Sequence, residues 1–74
     1  MTNTSTAALQ ITLNGTARPC ANLKVVSDLI AELALDSRKV AIEHNLKIVP
    51  RSAYATTPIM DGDAIEVVGF IGGG

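Results

Sequence analysis

Hydrophobic and polar residues alternate from Leu9 to Leu13, placing Leu9, Ile11 and Leu13 on one face of a half-buried strand and Gln10 and Thr12 on the other. Asn14-Gly15 follows at once. That dipeptide supplies the two positive φ angles of a two-residue hairpin turn, so residues 16–21 are predicted to return antiparallel. Pro19 has no amide to donate, which sets the second strand at a sheet edge or marks its end. From Val26 the period changes. Val26, Leu29, Ile30 and Leu33 recur at the spacing of an amphipathic helix that ends near Ala34. Asp28 sits in its first turn, where a negative charge suits the helix dipole, but Lys24 and Val25 stand where a Ser, Thr or Asp cap is expected.

Residues 35–39 read as a loop, and Val40 to His44 as a third strand with Val40 and Ile42 inward; the alternative register buries Ala41 and Glu43. His44, at the strand end, reads as a solvated neighbour of the following turn rather than a ligand. "IVPR" is a short fourth strand closed by Pro50, residues 52–58 are a connection, and Asp61-Gly62-Asp63 is a turn with Gly62 at positive φ. The other ligands of an EF-hand calcium loop are missing around it. In the last strand, Ile65 and Val67 share one face, while Glu66, Val68 and Phe70 share the other. With the first face toward the helix, Val68 and Phe70 point outward and form a candidate partner-docking face. A hairpin, one helix and then further strands predict an α+β domain of β-grasp, ubiquitin-like type, a mixed sheet with one main helix packed on one face.

Composition narrows the chemistry. Only Tyr54 and Phe70 are aromatic, so an aliphatic core is expected. Six Lys and Arg against seven Asp and Glu, with no basic run, argue against nucleic-acid binding. Apolar stretches fall far short of the roughly 20 residues that span a bilayer, and no basic segment precedes an apolar run at the N-terminus, so a cytoplasmic protein with no membrane contact is expected. Cys20 is the single cysteine, which removes internal disulfides and multi-cysteine metal sites and leaves a small buried apolar residue. Residues 1–6 read as a disordered leader, 7–71 as the domain and 72–74 as a flexible tail. No nucleophile and base pair, metal cluster or phosphate-cradling loop is recognisable, so no catalytic residue and no bound cofactor are assigned.

The tail Gly72-Gly73-Gly74 adds no side chain to a core and loses the most backbone freedom on ordering, so stability does not explain it. A strand without β-carbons is as narrow as a polypeptide can be, and three extended residues reach about 10 Å, enough to enter an enclosed site on another protein.

The stretch "VAIEHNLKIVPRSAYATTPIMDGDAIEVVGFIGGG", with "ITLNG" and "VVSDLIAEL" before it, resembles the ThiS family of sulfur carriers of thiamin biosynthesis. Where that family usually has Asn-Gly after the third strand, this chain has Asn45-Leu46. The resemblance implies a protein co-substrate rather than an enzyme. Its Gly74 carboxylate would be adenylated with ATP by an enzyme of the ubiquitin-activating type. Sulfur from a donor system such as a cysteine desulfurase would convert it to a thiocarboxylate, which thiazole synthase would consume. Gly72, Gly73 and Gly74 would enter the partners' sites. The rival readings are a molybdopterin synthase small subunit, another ubiquitin-like sulfur carrier, and a β-grasp interaction module.

Overall fold

Five strands and one α-helix organise residues 9–69, the part of the chain that the computed structural model describes. Strands β1 (Gln10–Leu13) and β2 (Thr16–Pro19) form the hairpin. Asn14 at φ 51° and Gly15 at φ 84° turn the chain as the dipeptide requires. Helix α1 (Val26–Glu32) follows, then β3 (Val40–His44), β4 (Lys47–Val49) and β5 (Ala64–Gly69). The sheet order is β2-β1-β5-β3-β4, with β5 parallel to β1 and the other neighbours antiparallel. β5 is therefore the central strand, and Pro19 lies on the edge strand β2. This is the β-grasp arrangement.

Val26, Leu29 and Ile30 of α1 bury their stripe with Ile11, Ile42 and Ile65 of the sheet, so the inward register of β3 is that of Val40 and Ile42. Fully burying one such aliphatic side chain contributes about 1.5–3 kcal/mol. Three expectations are corrected. Leu9 lies outside β1 and is exposed, because the strand starts at Gln10. The core is not purely aliphatic: Tyr54, in the connection after β4, is buried within it. The loops at 37–39 and 51–53 are single 3-10 turns, the first capped by Asp36 and its fork with Arg38. Arg38, through its side chain and then its amide, holds the Asp36 carboxyl down to about 2.

The missing N-cap of α1 is supplied from elsewhere. The Val26 amide donates to the Thr57 carbonyl at 3.0 Å and the Ser27 amide to the Tyr54 carbonyl at 2.9 Å. Asp28 reaches back to accept from the Lys24 and Val25 amides at 2.9 and 3.0 Å. The first-turn amides of Val26 and Ser27 are thus taken by a loop almost 30 positions downstream, while the helix's own third residue satisfies the two amides just before the helix.

The β3–β4 turn carries strain. Asn45 and Leu46 have φ of 53° and 72°, and Leu46 is 88% exposed, so little burial repays a left-handed backbone. Leu46→Gly is expected to stabilise the fold by about 1 kcal/mol in urea unfolding, the strain relieved exceeding the extra chain entropy of glycine. A neutral or destabilising result would remove the strain argument.

Candidate functional site

The reactive tail predicted at Gly72–Gly74, together with Phe70 and the leader at 1–6, lies outside the described residues. What the structure does describe is the strand from which that tail continues. β5 is held at both ends by the two turn asparagines. The Asn45 amide donates to the Ala64 carbonyl at 2.7 Å, and its side-chain oxygen accepts from the Ala64 amide at 2.8 Å. Asn14 does the same further along, its Oδ1 accepting from the Val67 amide at 2.8 Å and its Nδ2 donating to the Val67 carbonyl. Asn14 thereby extends the short β1–β5 ladder, whose backbone register pairs only Thr12 with Ala64 and Leu13 with Ile65.

The start of β5 is fixed by a second cluster, missed in the sequence. Asp63, almost fully buried, accepts from His44 Nε2 at 2.6 Å, the Met60 amide at 2.8 Å and Asn45 Nδ2 at 3.1 Å. Burial pushes the Asp63 carboxyl up, but the Met60 backbone amide, the His44 ring and the Asn45 side-chain amide outweigh it and hold the group below the ordinary carboxylate value. His44 is therefore not a solvated turn neighbour: its ring is mostly shielded and clasps the loop before β5 to the end of β3. The one available signal was the alternation of β3, which puts His44 on the same face as Val40 and Ile42. Asp61 stays outside this cluster and accepts from the Gln10 amide at 2.8 Å, while Gly62 turns the chain between them at φ 88°.

Val68 faces outward and is 55% exposed. On the same face the register sets Val68 opposite Ala41, Glu66 opposite Glu43, and Glu43 opposite the exposed Ile48. Two carboxylates directly across a strand pair repel, and among the described residues neither has an ion-pair partner. The face beside the tail is thus an apolar patch around two acids.

The described residues offer little for catalysis. Cys20 is buried, and burial first, then Asp61 and Asp63, push its thiol up, away from thiolate chemistry. No group of three potential metal ligands occurs among the described residues. Among the described residues no helix is long and apolar enough to cross a membrane.

Comparison with known proteins gives this geometry relatives. The ThiS family model matches residues 11–74. The thiazole synthase of Paramagnetospirillum magneticum is 48% identical over 66 residues, which cover 89% of this chain and 20% of that protein. The chain therefore spans about a fifth of the length of that relative. The sulfur carrier protein ThiS of Escherichia coli is 35% identical over 66 residues, 89% of this chain and 100% of that protein. The crystal structure of the thiamine biosynthesis protein (ThiS) from Geobacter metallireducens matches with a TM-score of 0.74 at 31% identity, over 88% of this chain and 99% of that one.

Proposed function

The chain belongs to the ThiS family, and from that premise we propose that it is a sulfur carrier of thiamin biosynthesis whose Gly74 carboxylate is converted to a thiocarboxylate. The observation that carries this reading is the family match over residues 11–74, a span that includes Gly72, Gly73 and Gly74. A carboxylate is a poor electrophile. An adenylating partner of the ubiquitin-activating type would join it to AMP from ATP, releasing pyrophosphate. A persulfide sulfur from a donor system such as a cysteine desulfurase would then attack the acyl carbon and expel AMP, and a thiol would reduce the S–S bond of the acyl disulfide so formed, leaving the thiocarboxylate. Thiazole synthase would take the sulfur from the resulting C–S bond.

In this scheme the chain is a cytoplasmic co-substrate and the partners catalyse. Its own contribution is a narrow arm on a rigid strand. Ordering that arm costs about 1–2 kcal/mol per residue, which a docking surface must offset, and the Val68 and Phe70 face is the candidate. The partner's side of that contact would combine apolar groups with a Lys or Arg aimed at Glu43 and Glu66. A segment similar to this chain stands within a protein named thiazole synthase, which supports that enzyme as the consumer. Joining carrier and consumer in one polypeptide raises their effective concentration.

The test is intact-mass spectrometry of the chain after incubation with an activating enzyme, ATP and a sulfur source. One oxygen of Gly74 replaced by sulfur is the expected result. An unchanged mass, where an established carrier is converted in parallel, would refute the carrier reading.

A further inference from the structure

Arg51 of the "IVPR" stretch plays no part in the scheme above. Val49 is buried, and Pro50, at φ −66°, leads directly into the 3-10 turn at Arg51–Ala53. That turn sets Arg51 at the rim of an open pocket of about 380 Å³ between α1 and the segment following β4. Ser27, Ser37, Ser52 and Tyr54 line the same pocket, and Ile30 and Leu35 supply its apolar wall.

The pocket is preformed. The Ser27 amide donates to the Tyr54 carbonyl at 2.9 Å, the Tyr54 amide to the Arg51 carbonyl at 3.1 Å, and the Leu35 amide to the Ile30 carbonyl at 3.0 Å, so its walls are tied together by backbone. Its polar groups are nevertheless uncommitted. Among the described residues, the Arg51 guanidinium and the hydroxyls of the three serines and Tyr54 make no hydrogen bond. Tyr54 is all but 6% buried, yet its hydroxyl is not itself among the buried atoms, so the ring packs in the core while its polar end stays open to solvent. The three acids adjacent in sequence to the lining do not compete: Glu32 is paired with Arg18. Asp28 is held by the Lys24 and Val25 amides, and Asp36 by Arg38.

A guanidinium and four hydroxyls are more donors than the two oxygens of a carboxylate would occupy, whereas three terminal phosphate oxygens would accept them. The volume lies at the lower end of small-ligand sites, and the Ile30, Leu35 and Tyr54 surface suits an apolar body. We propose that this pocket binds a small phosphate monoester with an apolar body, Arg51 pairing with the phosphate and the hydroxyls completing its coordination. The proposal is independent of whether Gly74 is sulfurated.

The experiment is an NMR titration of the isotopically labelled full chain with phenyl phosphate, benzoate and inorganic phosphate separately, at millimolar concentrations. Saturable shifts at Ser27, Ser37, Ser52 and Tyr54 with phenyl phosphate are expected, with weaker binding of the other two probes. Arg51→Gln, at an exposed position, should weaken phenyl phosphate by about tenfold or more, and Tyr54→Phe by a smaller factor. No saturable shift, shifts centred elsewhere, or unchanged binding by Arg51→Gln would overturn the site. Benzoate binding as tightly would overturn the phosphate assignment, and inorganic phosphate binding as tightly would overturn the apolar one.

Discussion

Removing Gly74 is expected to abolish thiocarboxylate formation while changing folding stability by no more than about 0.5 kcal/mol. The described core contains nothing beyond Val67, and the antiparallel register of β3 with β5 closes at Val40 and Gly69. Glycine carries no side chain, so the deletion withdraws none from the core. It does move the carboxylate back by one residue, about 3.5 Å along an extended arm. A misplacement of about 1 Å at a reacting centre already costs on the order of a hundredfold, so an activating enzyme that holds the arm should not adenylate the shortened end. Val68→Lys makes the contrast. It leaves the arm whole but sets a charge in the proposed docking face, so it should raise the KM for activation while the saturated rate stays near that of the parent chain. Conversion of the shortened chain at its new last glycine would show that the position of Gly74 does not matter, and unfolding would show that the tail is structural.

Local rules made most of the sheet legible in advance. Asn14-Gly15 announces its turn because two positive φ angles are needed there, and the stripe Val26, Leu29, Ile30 announces α1 because one face must be buried. What escaped notice depends on groups far apart in sequence. The capping of α1 by the Thr57 and Tyr54 carbonyls has no local signature, and a search for Ser, Thr or Asp before Val26 finds only its absence. His44 and Asp63 are 19 residues apart, and each alone looks like a turn residue. Their union follows only once β5 is known to lie beside β3 with His44 opposite Ile65. The outward face of β5 was legible as far as Val68, because alternation fixes the direction of a side chain. The pairing of Glu66 with Glu43 was not, since it needs the register between two strands.

Replacing Asp63 with alanine should destabilise the domain by about 3 kcal/mol or more at neutral pH, a large share of the 5–15 kcal/mol typical of small proteins. The variant leaves the Met60 amide, the His44 ring and the Asn45 amide facing an empty site, and the loss of a charged acceptor for buried donors is the expensive case. The pH dependence identifies the charge as the cause. Because the folded state holds the Asp63 carboxyl below its ordinary value, this group contributes stability that is fully present above the unfolded value of about 4. That contribution is lost as pH falls through the lower, folded value. The gap between parent and variant in urea unfolding should therefore stay constant from neutral pH down to about 5 and shrink on further acidification. If Asp63→Ala does not fold, Asp63→Asn keeps the shape and removes the charge, and its penalty should follow the same acid profile. A penalty that persists undiminished at acid pH would mean that packing around Asp63, and not its ionised carboxylate, ties the end of β3 to the start of β5.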